Sequence, residues 1–488
     1  MVRWIAWSER MQRLSPQDAS FLHLEDLVSH MHIGTVAILE GPPPPYDELA
    51  DRVRANLPLV PRYRQKAHLV PLALGPPVWV DDAHFNLGYH LRRTALPEPG
   101  GDTELRLLVG RVMSQQLDRH KPLWEMWMIE GLSEHRWALL TKVHHSVVDG
   151  VAGAELLSAI LDEEREPEAA PSEAWNPERQ PSGAELAARA LGSRALSPYA
   201  GVRAALRSPR FAAERAAGTV QGLLTMSGIL RPPHSSSLNG PIGPHRRWDW
   251  ARSRLSDVKR IRNAFGGTVN DVVLTAIAGG FHELLNARGE RTDRVVRTLV
   301  PVSVRAAAEH GEYNNRVSAI FADLPVGIEE PVERLAAVRG QMERLKRSHE
   351  AVAGDVLVGL SGFAPAMLLS LGLRAATHVP QRNVNTVTTN VPGPQRPLYA
   401  AGRRMLECFP YVPLAGHVRL GVAIFSYDGA LGFGVTGDYD RAPDIGILCR
   451  GIERSMATLV DAARAHEGAP SRKDVPIAEG KPSTGARG

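Results

Sequence analysis

The chain has 488 residues, 43% hydrophobic and 23% charged, with 57 basic against 53 acidic side chains and a net charge of +4. That length exceeds one ordinary core and predicts two or three domains of globular composition. The slight basic excess, with no Lys/Arg run interleaved with aromatics, gives no argument for nucleic acid; two cysteines, Cys408 and Cys449, exclude a disulfide framework and suit a reducing compartment.

In chain order, MVRWIAWSER has neither the apolar core nor the cleavage site of a signal peptide, and the folded pattern is expected to begin at Met11. Ser15-Pro16-Gln17-Asp18 predicts a helix start, with a serine N-cap, proline at the first position and an acid at the third. HMHIGTVAIL (30–39) alternates as a strand and stops at the proline run 42–45. Helical spacing follows at 47–57 and 102–117, and two strands, 124–132 and 135–145, are joined by a short turn. A helix opens at Gly150 and runs to about Leu161.

From Asp162 to His245, Pro/Glu/Ser-rich stretches flank Ala/Arg-rich segments at 184–207 and 210–230, which read as a helical inter-domain connection. Arg203, Arg207, Arg210 and Arg215, set among apolar residues, suit either an anionic membrane surface or a helix packed across two domains. A second series predicts helices at 256–265, 270–288, 331–351 and 443–465, and strands at 294–304, 316–324, 384–391, 403–411, 417–427 and 430–438. Tyr427-Asp428-Gly429 is a hairpin turn. The stretch 356–373 carries no charge and is about long enough to span a bilayer, but Gly359, Gly362, Pro365 and Gly372 interrupt it, which favours a buried or interfacial helix pair. The tail after Gly468 reads as disordered. Strands and helices thus recur in both halves, predicting two α/β lobes with a site between them.

One heptapeptide carries the chemistry: HHSVVDG (144–150). Successive side chains on a strand point to opposite faces, so His144 and His145 cannot share one cavity while the strand persists. One is the candidate general base, since imidazole exchanges protons near neutral pH, and the other packs or hydrogen-bonds. Asp149 is either the N-cap of the following helix or one half of an ion pair that aims the histidine, and Gly150 allows the sharp turn. A zinc site on His145 and Asp149 lacks further ligands, and no metal is expected.

These residues match the HHxxxDG signature of acyltransferases related to chloramphenicol acetyltransferase and to peptide-synthetase condensation domains. Together with LSPQDASFLHLE (14–25), PLW (122–124), NDVVLTAIAGG (270–280), PVSVR (301–305) and TNVPGPQRPLY (389–399), the chain resembles the bacterial wax ester synthase/diacylglycerol acyltransferase family over nearly its whole length. Thr389 stands where that family often has serine, and the DFGWG motif of more distant relatives is missing, with FGVTGDYD (433–440) in its place.

The resemblance implies an α/β (α+β) fold of two chloramphenicol acetyltransferase-like lobes, with mixed sheets flanked by helices and the active site in a channel between them. The expected division is 1–165 and 246–467 for the lobes, 166–245 for the linker and 468–488 for the tail. It implies transfer of a long-chain acyl group from acyl-CoA to diacylglycerol or a long-chain alcohol, by direct attack and without a cofactor. His145 is then the base that takes the hydroxyl proton, and His144 a positional residue. From its place just after the predicted strand 294–304, Arg305 is the expected partner of Asp149. Asn270 belongs either to the capping box of Thr268 and Asp271 or to the site, as a donor to the oxyanion. Pro122, Leu123, Trp124, Asn390 and Gly393 are candidates for the substrate channel. The expected location is cytoplasmic, at the inner face of the plasma membrane or at lipid droplets. Two competing readings are an acyltransferase using a carrier-protein thioester and a catalytically silent lipid-binding protein.

Two patterns mislead. GFGVTG (432–437) fits a dinucleotide fingerprint but lies in strand-like sequence with no helix after it. His30 and His32 would share one strand face, as core or surface residues rather than metal ligands.

Overall fold

The computed structural model describes residues 12–147, 161–166, 175–192, 236–293, 295–303, 317–347 and 384–468. The first half supplies α1 (Pro16–Leu24), β1 (His32–Glu40), α2 (Tyr46–Asn56), β2 (Gln65–His68), β3 (Val78–Asp81), α3 (Leu87–His90), β4 (Leu91–Ala95), α4 (Asp102–Met113), β5 (Trp124–Leu132) and β6 (Arg136–His144). The second supplies β7 (Arg246–Arg254), α5 (Leu255–Phe265), α6 (Val269–Ala287), β8 (Val296–Ser303), β9 (Val317–Leu324) and α7 (Pro331–Arg347). It continues with β10 (Thr386–Pro392), β11 (Tyr399–Ala400), β12 (Arg403–Tyr411), β13 (Leu420–Tyr427), β14 (Ala430–Asp438) and α8 (Ile445–Gly468).

Among the described residues these strands form two six-stranded mixed sheets, ordered β11-β12-β1-β6-β5-β4 and β7-β14-β13-β10-β8-β9, with β2-β3 as a separate hairpin. In the first sheet, alternation sends Trp137, Leu139 and Val143 of β6 to one face, where they meet Leu49, Ala50 and Val53 of α2. Ala138 and Leu140 point the other way, onto Leu105, Leu108, Val109 and Val112 of α4. Lys142 and His144 follow in that second row. In the second sheet, α5 to α8 cover one face, and the middle of α6, 272–281, is almost wholly apolar because it is buried on all sides.

The lobes are not separate in sequence. β12 lies in the expected second lobe, 246–467, yet pairs antiparallel with β1 and completes the first sheet, with Val36 opposite Phe409. Trp248 and Trp250 of β7 in turn enter the core built on α4. Two glycines of GFGVTG make the crossing possible: a Cβ at Gly434 would lie 1.6 Å from the Pro410 carbonyl oxygen, and one at Gly432 2.4 Å from that of Cys408. They serve close strand-to-strand approach, not phosphate binding.

Ser15 caps α1, and Asp428 and Gly429, at φ 43° and 79°, form the tight turn of the β13–β14 hairpin. The helix expected over 102–117 ends at Met113. β2, β3, β4, β7 and β11 were not expected; β7 shows why, since charged residues alternate with its two buried tryptophans. Within the expected linker, a helix at 183–192 packs Leu186 and Ala190 on Val70, Val78 and Val80 of the first lobe. The expected helix after Gly150, the stretch 356–373 and the tail after Gly468 lie outside the described residues. Among the described residues no single helix is long and apolar enough to cross a membrane, and the bent pair α5–α6 that passes together is core.

Candidate active site

β6 ends at His144, and the chain turns at His145, so the two imidazoles enter different surroundings. The His145 N–H donates to the Met31 carbonyl at 2.8 Å, and its half-buried ring lies flat on Phe21 of α1, with centroids 4.0 Å apart and planes 20° from parallel. α1 is held there by Leu14, Ala19 and Leu22, which pack on Trp79, Leu117 and Leu123.

The His144 ring turns inward. Its Nδ1 accepts from the Ser146 N–H at 3.1 Å and sits 2.7 Å from Ser146 Oγ, which leaves the proton on Nε2. That Nε2 lies 3.7 Å from Oε2 of Glu25. His32, directly opposite His144 on β1, brings its Nε2 to 3.2 Å from Glu25 Oε1. Arg119 closes the carboxylate with Nε at 2.9 Å and Nη2 at 2.6 Å from Oε2, and Nη2 also donates to the Leu22 carbonyl at 3.0 Å. Glu25, His32 and His144 are all buried.

Burial works against the Glu25 anion, but the His32 contact and the charges of His144, His32 and Arg119 outweigh it and hold the pKa at about 2. Burial lowers His32 to about 4 and His144 to about 3, so both rings are neutral at pH 7, and the His32 Nε2 accepts the Leu117 N–H at 3.4 Å. Lys142, two residues before His144, is buried with Nζ donating to the carbonyls of Val112 (2.9 Å) and Gln115 at the end of α4. A cation there satisfies carbonyls that the helix leaves unpaired, and burial lowers this amine to about 8. From the second lobe, Arg246 donates to the Val28 carbonyl and its N–H to Ser114 Oγ at 2.8 Å. These contacts fix the loop between α1 and β1 on which Glu25 and Met31 stand.

The family model described as wax ester synthase/diacylglycerol acyltransferase catalytic domain matches residues 14–273, and its C-terminal domain model matches 313–460. A probable diacylglycerol O-acyltransferase, tgs1, of Mycobacterium tuberculosis is 39% identical over 455 residues, which is 92% of this chain and 96% of the relative. The chain belongs to the wax ester synthase/diacylglycerol acyltransferase family. The solved wax ester synthase/diacylglycerol acyltransferase of Marinobacter aquaeolei VT8 superposes with a TM-score of 0.66 at 27% identity, covering 93% of this chain and all of that one. A condensation domain of the calcium-dependent antibiotic synthetase reaches a TM-score of 0.55 at 17% identity, covering 94% and 98%, and shares the two-lobed fold alone.

In this wax ester synthase/diacylglycerol acyltransferase the remaining expected residues fall as follows. Asp149, Gly150 and Arg305 lie outside the described residues. Asn270 is the second residue of α6, half-buried beside a capping box in which Thr268 and Asp271 exchange backbone N–H bonds. Asn390 lies within β10, and Gly393 just after it donates its N–H to Ser426 Oγ at 3.2 Å. A Cβ at Gly393 would stand 2.2 Å from the Ser426 carbonyl, so glycine is required there by packing. Pro122, Leu123 and Trp124 stand at the start of β5, beside the end of β6. All three are buried, Trp124 is stacked between Tyr63 (4.5 Å) and His90 (4.7 Å), and the Leu123 carbonyl accepts the His144 N–H.

Sequence reasoning passed over Phe21, Glu25, His32 and Arg119 as site residues. Phe21 and Glu25 stood inside a quoted motif. Arg119, 94 residues from Glu25, had no local signal. Among the described residues no group of three or more His, Cys, Asp or Glu is arranged to hold a metal.

Proposed function

We propose that the chain moves a long-chain acyl group from acyl-CoA to diacylglycerol, giving triacylglycerol, and to long-chain alcohols, giving wax esters. The observation that carries the reading is the His145 imidazole, half-buried rather than sealed, at a turn beside an internally hydrogen-bonded histidine. His145 takes the proton from the acceptor hydroxyl as its oxygen attacks the thioester carbonyl. The tetrahedral adduct collapses, the C–S bond breaks, and the imidazolium returns the proton to the CoA thiolate. No acyl-enzyme forms and no cofactor is needed, since the thioester already activates the acyl group. Asn270 is retained as an oxyanion donor, and Asp149 with Arg305 as the pair that aims the loop.

Both substrates carry chains nearly insoluble in water, so the protein works attached to the cytoplasmic face of the membrane or to lipid droplets. Leu72, 84% exposed, and Leu69, 58% exposed, offer apolar contact for such attachment.

The test is purified chain incubated with labelled palmitoyl-CoA and either diacylglycerol or hexadecanol. Triacylglycerol and hexadecyl palmitate are expected, and His145→Ala should lower turnover by roughly 10²–10⁴-fold. Wild-type protein that esterifies neither acceptor overturns the reading. An acyl group trapped covalently on the protein overturns the direct attack.

A further inference from the structure

We infer that Glu25 and Arg119 are positioning residues for His145, acting as one unit through α1 and His144. The inference rests on the proposed role of His145 as the base. Glu25 lies one residue beyond α1, and its N–H donates to the Phe21 carbonyl at 3.1 Å, so the acid is tied to the residue whose ring lies on His145. Arg119 grips both ends of this link, the Glu25 carboxylate and the Leu22 carbonyl one residue after Phe21. On its other side the carboxylate faces His32 at 3.2 Å and His144 at 3.7 Å, and His144 is the covalent neighbour of His145.

The donor inventory shows why the group must be a carboxylate. Arg119 has only N–H groups to offer, and Ser146 takes the lone pair of His144, so that Nε2 of His144 can only donate. His32 stands outside this set: its Nε2, 3.2 Å from Glu25 Oε1, accepts the Leu117 N–H at 3.4 Å. An ionised carboxylate has acceptor sites for all of them. An amide of the same shape has one oxygen and sets an NH2 against N–H donors. The pocket is buried, so water does not relieve that conflict. Release of the carboxylate then frees α1, Phe21 loses its fixed place over His145, and the imidazole samples other rotamers. A displaced base lowers the rate of the chemical step and leaves substrate binding in place.

Two variants and two readouts test this. In Glu25→Gln and Arg119→Lys, kcat for ester formation is expected to fall by roughly 10²-fold, with KM for palmitoyl-CoA and acceptor unchanged. The double variant should lose no more than the worse single one, because the pair acts as a unit. Diethylpyrocarbonate modification, mapped to His145 by mass spectrometry, should proceed several-fold faster in both variants as the ring leaves Phe21. Losses that add in the double variant, or an unchanged kcat with unchanged His145 reactivity, overturn the inference. If Glu25→Gln does not fold, Arg119→Lys decides by the same two readouts. The labelling readout needs no turnover: wild-type protein that makes no ester sinks the proposed function, whereas equal His145 labelling in wild type and variants sinks the positioning unit.

Discussion

At the scale of the residue, the site is organised by what each side chain can donate or accept. His144 and His145 are chemically identical, yet the one at the strand end is enclosed and neutral, while the one at the turn is half-buried on an aromatic ring. The enclosed groups link stability to pH with a definite sign. His32 and His144 titrate near 6.5 when unfolded but at about 4 and about 3 when folded, so the unfolded chain binds more protons between those limits. Glu25, lowered from about 4.5 to about 2, acts in the same direction further down. The melting temperature should therefore be steady near pH 7 and fall steadily from pH 6.5 to 4; calorimetry showing a flat or rising trend over that fall would contradict the buried, neutral assignment. The candidate pair of histidines was legible because the motif is contiguous. Glu25 and Arg119 were not, because a carboxylate–guanidinium contact between two loops leaves no periodic trace.

At the scale of the element, glycines decide how closely strands cross. β14 alternates like any half-buried strand, but the face turned to β12 carries Gly432 and Gly434 where side chains would ordinarily stand. Gly434→Ala forces a Cβ onto the Pro410 carbonyl and should destabilise by about 1–3 kcal/mol through backbone displacement. Gly192, at the end of the helix 183–192 and with nothing near its missing Cβ, is the control: Gly192→Ala should leave the melting temperature unchanged or higher. Equal effects of the two substitutions would refute the crowding argument. Most element boundaries were readable from hydrophobic period; β12 and β14 match their expected ranges residue for residue. β7 was missed although Trp248 and Trp250 alternate with Arg247 and Asp249, because four of its nine residues are arginines and the strand lies at the end of a linker-like stretch.

At the scale of the whole molecule, the exchange of β12 makes the two lobes one folding unit. The first sheet needs a strand from the second half of the chain, and the α4 core needs two tryptophans from β7. A single unfolding transition is therefore expected by calorimetry and by intrinsic fluorescence, and two separated transitions would show the lobes to be independent. Trp250→Ala, emptying a nearly fully buried site stacked on Phe409, should cost about 3–5 kcal/mol and lower that one transition as a whole.

The sequence by itself determined the family, the α/β class, most of the secondary structure and the histidine pair, because these are written in contiguous motifs and short periods. Only the tertiary structure decided that β12 belongs to the first sheet, that Trp124 is core, and that Glu25, His32, Arg119 and Phe21 surround the two histidines. Those facts depend on which distant segments meet. The reason is physical: a buried charge is fixed by the donors that folding gathers around it, and folding gathers them from positions that have no spacing in common.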